Sequence, residues 1–257
     1  RDGMAFTWQH GRELASFSKA GTTATYSYND SGIRTKKVVN GVTTEYYLNG
    51  STILTQITGD ERLDFLYDDA GSLLGLKWNG TAYYYVKNLQ GDIIGILDSN
   101  GNQVVEYVYE TWGQFAASYG SLATTLGTLN PFRYRGYYYD TESGLYYLNS
   151  RYYDPQIGRF LNADGYVTTG QGLMATNMFI YCGNNPVMYV DESGLFFDQI
   201  GKFFSDVGNA IIDGFNKFVH ATKKSTEVEI GGGFGIGAKV NIKNLKGRAE
   251  IVPYGGS

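Results

Sequence analysis

Few side chains in this 257-residue chain are of the kinds that do chemistry, and their spacing narrows what that chemistry is. There is one cysteine, Cys182, and there are two histidines, His10 and His220. A catalytic thiol needs a histidine beside it to take its proton. Cys182 instead lies between Tyr181 and Gly183 in an apolar run and reads as a small buried hydrophobe. A lone cysteine also excludes an internal disulfide framework. The two histidines are far apart with no cysteine near them, which argues against a zinc site of ordinary spacing. Both read as surface residues, and neither a metal nor a cofactor is expected. The run Gly231-Gly232-Gly233-Phe234-Gly235-Ile236-Gly237 would cradle a phosphate only at a strand-to-helix junction carrying a lysine. Lys239-Val240-Asn241-Ile242-Lys243 follows it and alternates like a strand, so a glycine-rich hairpin is the better reading. Arg133, Arg135 and Arg151 stand among tyrosines, where a guanidinium stacks on rings more readily than it binds phosphate. That leaves the carboxylates. Several precede a glycine by a few positions, as in Asp191-Glu192-Ser193-Gly194, and Asp-x-x-Gly is first of all a turn cap.

The framework that positions these groups is β structure. The chain has 35 glycines and 23 tyrosines but only 4 prolines. Richness in Tyr, Thr, Val and Gly favours strands and tight turns and excludes an all-helical protein. With 42% apolar and 18% charged residues, a core forms and disorder is not expected. Net charge is −4 with no dense Lys/Arg block, which argues against nucleic-acid binding by the repeat region. No run of 18 apolar residues exists to code a transmembrane helix.

A repeat organises the first half. Tyr28, Tyr47, Tyr67, Tyr85 and Tyr107 recur at intervals of 19, 20, 18 and 22 residues. Turns follow in Tyr28-Asn29-Asp30-Ser31-Gly32, Tyr67-Asp68-Asp69-Ala70-Gly71 and Tyr109-Glu110-Thr111-Trp112-Gly113. The Asx side chain bonds its own backbone, and glycine takes the positive φ at the reversal. Each unit of about 20 residues therefore holds two strands of about 7 to 8 residues and their turns. One hairpin cannot bury its own apolar face. Stacked neighbours can, as a continuous antiparallel sheet.

The pattern then tightens. Tyr139-Asp140-Thr141-Glu142-Ser143-Gly144 and Tyr153-Asp154-Pro155-Gln156-Ile157-Gly158 match at a spacing of 14. With them stand Asn130-Pro131-Phe132-Arg133-Tyr134-Arg135-Gly136, Arg151-Tyr152-Tyr153-Asp154-Pro155, Gly158-Arg159-Phe160, Asn184-Asn185-Pro186 and the stretch from Asp191 to Leu195. On these motifs and their order, the first part resembles the YD repeats of Rhs proteins, and residues 131–195 resemble the Rhs repeat-associated core region. The family is WapA-like and teneurin-related, and the resemblance covers about three quarters of the chain, stopping before residue 196. It implies a mainly β fold in which antiparallel hairpins form part of a spiral β-sheet shell. Such shells enclose and present a variable C-terminal effector in contact-dependent bacterial competition. The implied domains are a YD-repeat sheet (1–130), the core region (131–195) and a variable tail (196–257). The implied partners are the chain's own effector as cargo, an immunity protein, and a cell wall or target-cell surface. The chain opens on Arg1-Asp2-Gly3, in mid-pattern and without an initiator Met, and reads as part of a longer polypeptide that is secreted or held at the cell surface.

The resemblance also implies an intramolecular aspartyl endopeptidase. Two carboxylates, each opening a DPxG-like motif, cut the chain just after the second motif. The matching positions are Asp164 and Asp191, the matching bond joins Leu195 to Phe196, and Arg159 is placed to steer or stabilise nearby charge. Two carboxyls held close share one proton, so one serves as base and the other as acid. This sequence departs from the family pattern. Gly165 and Glu192 stand where proline follows each aspartate, and the aspartates are 27 positions apart, with Thr168-Thr169-Gly170-Gln171-Gly172 as an inserted loop. The competing reading is that both aspartates simply cap turns beside glycine.

After Leu195 the period changes. Phe196, Ile200, Phe203, Phe204, Val207, Ile211, Phe215, Phe218 and Val219 fall at helical spacing, which predicts an amphipathic helix over 196–220. It either packs on protein or seeks a membrane, and a polar face poor in lysine speaks against the membrane. A small β tail over 226–253 follows, read as an incomplete effector without a nameable activity. Two other classes of function stay open: a cell-wall carbohydrate-binding module of aromatic repeats, and a teneurin-like adhesion module. The first places tryptophan regularly, whereas only Trp8, Trp78 and Trp112 occur here.

Overall fold

The computed structural model describes residues 3–163, 178–186 and 191. These belong to the first of two compact units, residues 1–197. The expected helix over 196–220 and β segments over 226–253 lie outside the described residues.

Twelve strands form one antiparallel meander in strict sequence order. They are β1 (Ala5–Gln9), β2 (Glu13–Lys19), β3 (Thr22–Tyr28), β4 (Arg34–Val39), β5 (Val42–Asn49), β6 (Thr52–Thr58), β7 (Glu61–Tyr67), β8 (Leu73–Trp78), β9 (Thr81–Lys87), β10 (Ile93–Leu97), β11 (Gln103–Tyr109) and β12 (Phe115–Tyr119). A short helix, α1 (Leu126–Leu129), leads to a second sheet of β13 (Tyr138–Asp140), β14 (Leu145–Leu148), β15 (Arg151–Asp154) and β16 (Arg159–Phe160), again in sequence order.

Two kinds of turn recur in the large sheet. Ala20-Gly21, Asn40-Gly41 and Asn79-Gly80 have both residues at positive φ, the two-residue hairpin whose twist suits flanking strands. The longer loops start at Asn29, Asp68, Asn88 and Asp98. In each, the side-chain Oδ1 accepts the N–H groups two and four residues on, at 2.7–3.1 Å. The glycine three residues on donates to the loop's first carbonyl; Gly71, for example, sits at φ 82°. Glu110 opens a loop with the same backbone bonds, Gly113 N–H to Glu110 O at 2.8 Å and Glu110 N–H to Gln114 O at 2.9 Å. The turns expected after Tyr28, Tyr67 and Tyr109 are these loops.

The register of the aromatic repeat needs one correction. Tyr47 is 53% exposed, and its neighbour Tyr46 is the buried one. Side chains alternate across a strand, so a one-residue offset exchanges the two faces. The equivalent inward positions are Tyr26, Tyr46, Phe65, Tyr85 and Tyr107, which belong to the core or pack against it. Two residues further on, Tyr28, Tyr67 and Tyr109 donate their hydroxyls to the carbonyls of Leu14, Ile53 and Ile93 at 2.8–3.1 Å. Each thereby ties the end of one strand to the start of the strand before it.

The second sheet lies on the inner face of the first. Phe65 meets Phe132 with ring centroids 4.7 Å apart, and Tyr46 meets Tyr138 at 5.6 Å. Tyr28 and Tyr152 share a hydroxyl–hydroxyl bond of 2.7 Å. At the centre, Asp140 Oδ2 accepts from Arg34 Nη1 at 2.6 Å and Oδ1 from Nη2 at 3.1 Å. Lys37 Nζ donates to Asp140 at 3.0 Å and to both oxygens of Glu142 at 3.0 Å. The Arg34 guanidinium is enclosed by the rings of Tyr26, Tyr46, Tyr138 and Tyr147 at 4.4–5.3 Å. Burial alone would raise the Asp140 pKa, but Arg34 and Lys37 overcome it and hold the carboxyl below its usual range. Burial raises Tyr46, Tyr146 and Tyr152 well above the usual phenol value.

Three predictions follow from this packing. A Cβ on Gly75 would lie 2.2 Å from the Tyr83 carbonyl oxygen, so Gly75→Ala forces backbone apart and lowers stability by about 1–3 kcal/mol in urea unfolding. Asp140→Asn leaves Arg34 and Lys37 buried beside a neutral group, and the same measurement should show a loss of about 3–5 kcal/mol. The pH dependence has two signs. Stability from Asp140 is complete above the unfolded carboxyl value of about 3.9 and is lost as pH falls through the lower folded value. The buried tyrosines contribute fully below about pH 10 and lose that contribution as pH rises through their raised values. Alkaline tyrosinate absorbance should therefore rise together with unfolding, followed by circular dichroism.

Candidate functional site

The carboxylate singled out by the family resemblance, Asp191, is fully buried. Its Oδ2 accepts from Arg151 Nη2 at 2.9 Å. Its backbone N–H donates to the Tyr137 hydroxyl at 3.0 Å, and the Tyr181 hydroxyl donates to that same oxygen at 3.3 Å. Arg151 reaches the site because it is the first residue of β15, just after a tight turn in which Asn149 takes φ 56°. Its guanidinium lies 3.6 Å from the centre of the Phe160 ring, and Nη1 donates to the Met178 carbonyl at 3.4 Å. Strand β16 carries Phe160 and is held on both sides, by β15 and by a Phe160 N–H bond of 3.0 Å to Phe179 O.

A second arginine secures the approach to Asp191. Arg135 sits in the left-handed region at φ 55°, a conformation that costs a non-glycine residue about 1–2 kcal/mol. Its N–H donates to Asp92 Oδ1 at 2.9 Å, Nη1 to Gln90 O at 2.8 Å, and Nη2 to Pro186 O. The Asn184-Asn185-Pro186 turn, with Asn184 at φ 62°, is thus tied to the Asn88 loop of the large sheet. The stacking expected of the arginines is present: Arg133 lies 4.6 Å from the Phe115 and Tyr139 rings, and Arg135 lies 5.2 Å from Tyr134.

Burial raises the pKa of two other polar groups of the site. The Cys182 thiol, 0% exposed, is pushed up to about 12, which leaves it protonated at neutral pH and unsuited to nucleophilic attack. The Tyr137 phenol is held well above its usual value, chiefly by burial. Among the described residues no group of three His, Cys, Asp or Glu is placed to hold a metal ion. His10 is at the surface, with its side chain 78% exposed; His220 lies outside the described residues.

Of the residues expected to form the aspartyl site, Asp191 and Arg159 are described; Asp164, Leu195 and Phe196 lie outside the described residues. Arg159 stands opposite Asp154 in the β15–β16 ladder, and its Nη1 is buried with no hydrogen-bond partner among the described residues. The ion pair with Asp191 belongs to Arg151. Sequence reasoning had Arg151 as a stacking residue, and it is both. It also passed over Tyr137, whose position two residues after Arg135 carries no motif of its own. The Arg34–Asp140 pair was missed as well, because Tyr139-Asp140 was read only as a turn signal.

Likeness to known proteins now places the chain. The family profile described as teneurin YD-shell matches residues 50–187, more than half of the sequence. The chain belongs to the teneurin YD-shell family. It is 37% identical over 198 residues to the tRNA3(Ser)-specific nuclease WapA of Bacillus spizizenii. It is 34% identical over 198 residues to the tRNA(Glu)-specific nuclease WapA of Bacillus subtilis subsp. natto. Each match covers 74% of this chain and 8% of the relative, so this YD-shell chain spans a small part of the length of those proteins. In fold, the crystal structure of TcdB2-TccC3-Cdc42 matches 76% of this chain and 10% of that one, with a TM-score of 0.61 at 24% identity. The YD-shell chain is therefore an Rhs/YD-repeat protein, mainly β, whose antiparallel hairpins form part of a spiral shell wall. Its relatives include proteins named as toxins, among them toxin protein Tse5 of Pseudomonas aeruginosa, 40% identical over 65 residues that cover 25% of this chain and 5% of that one. Among its described residues no helix is long and apolar enough to cross a membrane.

The tryptophans bear on the carbohydrate-binding alternative. Trp8 packs edge-on against Tyr152 at 6.0 Å, Trp78 donates to Glu61, and a Cβ on Gly158 would press within 2.8 Å of the Trp112 ring. All three pack within the protein rather than forming a regular exposed ladder. The buried ion pair can be tested on its own. Arg151→Met removes a charged partner of a buried carboxylate, and urea unfolding should show a loss of about 3–5 kcal/mol; adding Asp191→Leu to that variant should recover most of it.

Proposed function

We propose that this chain is the closing segment of a shell that encloses and presents a C-terminal effector in bacterial competition, and that it severs the effector from the shell after Leu195. The observation that carries the reading is Asp191 itself: a carboxylate with no exposure, ion-paired to Arg151 and placed four residues before the bond to be cut. A buried, arginine-held carboxylate at that place in the chain goes beyond what a surface turn cap requires.

In the reaction, Asp191 takes a proton from water, whose oxygen adds to the Leu195 carbonyl carbon. Asp164 then protonates the leaving nitrogen of Phe196. The C–N bond breaks, leaving a carboxylic acid on Leu195 and an amine on Phe196, with Asp191 now protonated and Asp164 ionised. Neither a metal nor a cofactor enters these steps. Residues 196–257 are the start of the cargo. That two WapA relatives with equal coverage of this chain are named for different tRNA targets supports a constant wall joined to a changeable cargo. The parent protein is accordingly secreted or held at the cell surface, and a cognate immunity protein protects the producing cell.

Mass spectrometry of the purified chain tests the cleavage. The expected result is two species, one beginning at Phe196, with Asp191→Asn and Asp164→Asn each slowing its appearance by a hundredfold or more on the order of a lost acid–base group. A chain that stays intact over days, or is cut at the same rate in both variants, would sink the endopeptidase reading.

A further inference from the structure

We infer that Tyr137 is the positioning residue of the aspartate site, fixing the backbone of Asp191 so that its carboxylate meets Arg151; this deepens the proposed cleavage and rests on it. Two of the groups that reach Asp191 are of different kinds. Arg151 holds the carboxylate at 2.9 Å, and the Tyr137 hydroxyl holds the N–H at 3.0 Å. Two contacts, one on the main chain and one on the side chain, restrict both the place and the direction of a carboxylate; an ion pair alone leaves the backbone free to turn about it. The hydroxyl oxygen is an acceptor here, taking the Asp191 N–H and the Tyr181 O–H together.

Tyr137 is itself held firmly. Its ring packs against Tyr134, Tyr146 and Tyr181 at centroid distances of 6.3–6.5 Å. Its N–H donates to the Tyr134 carbonyl at 2.9 Å, and its carbonyl accepts from Arg133 N–H at 3.1 Å. Through Arg135, two residues earlier, the same short segment grips the Asn88 loop and the Pro186 carbonyl. The segment Arg133–Tyr137 therefore transfers the rigidity of the large sheet to Asp191. A misplacement of about 1 Å at a reacting group costs on the order of a hundredfold in rate, so a hydroxyl that sets this position acts on the reaction without touching the scissile bond.

Tyr137→Phe removes the hydroxyl and keeps the ring packing. Two readouts on the full chain decide the matter. In an Asp164→Asn background, which keeps the chain in one piece, the Asp191 amide should exchange roughly five- to tenfold faster when Tyr137 is Phe. In the otherwise native chain, release of the Phe196 fragment should slow by roughly ten- to a hundredfold. The acidic limb of its rate–pH profile should also move to higher pH, because a loosened Arg151 contact favours the charged carboxylate less. Tyr67→Phe removes a hydroxyl of the same kind from the large sheet, where it bonds the Ile53 carbonyl, and should cut at close to the native rate. Unchanged amide exchange overturns the inference, as does faster exchange with an unchanged rate and profile. Loss of the near-ultraviolet circular dichroism of the folded chain in Tyr137→Phe would make the hydroxyl a folding determinant and overturn the positioning role. No cleavage in the native chain would remove the proposed endopeptidase, and the inference with it, whatever the amide shows.

Discussion

The Arg34 guanidinium and the Asp140 carboxylate meet where neither can be solvated, and the two sheets come together around them. Both are essentially without exposure, so each would be prohibitively costly alone. The fork geometry, the added contact from Lys37 and the four tyrosine rings around Arg34 make the burial tolerable. Such a pair adds little net stability compared with an apolar filling of the same volume. What it adds is uniqueness. Only one placement of β13 on the large sheet brings Asp140 under Arg34 while Tyr147 accepts the Arg34 N–H at 2.9 Å. A shift of the small sheet by one residue would strand three charges in an aromatic interior.

From that fixed point the path to Asp191 is short. Asp140 ends β13, and Tyr137 and Arg135 lie just before it. Arg151 lies one hairpin beyond, with Leu148 opposite it in the ladder. The groups that hold Asp191 are therefore carried on the same small sheet and its entry segment, which the charged centre locks against the wall. A carboxylate near the end of a stretch that resembles a self-cleaving region is thus set in rigid surroundings, as a site demanding accurate placement requires.

How much of this was legible in the sequence follows from which interactions are local. The loops after Tyr28 and Tyr67 were readable because Asn29 and Asp68 bond N–H groups only two and four residues away. The twelve-strand meander followed from the regular repeat of those loops. The face of each tyrosine was harder to read. Register shifts between Ser27 and Tyr28 and between Tyr47 and Leu48 change the alternation near each loop, so an interval count alone chose Tyr47 over Tyr46. Arg34 with Asp140, and Arg151 with Asp191, are separated by 106 and 40 positions. No local pattern joins such partners; each looked like an ordinary charge beside a turn. The resemblance to a family could mark Asp191, but only the folded chain could say which arginine and which tyrosine attend it.

The strict order of the large sheet has a kinetic meaning. Every strand of the wall pairs with its neighbours in the chain, so each hairpin closes a short loop, a microsecond event in isolated hairpins. The wall can zip from one hairpin to the next as the chain emerges, with no wait for distant segments. Joining Arg34 to Asp140 across 106 residues belongs to the slower class of long-range closures. The molecule therefore has a built-in sequence of assembly, wall first and inner sheet afterwards, which leaves the inner face open for as long as the inner sheet is undocked.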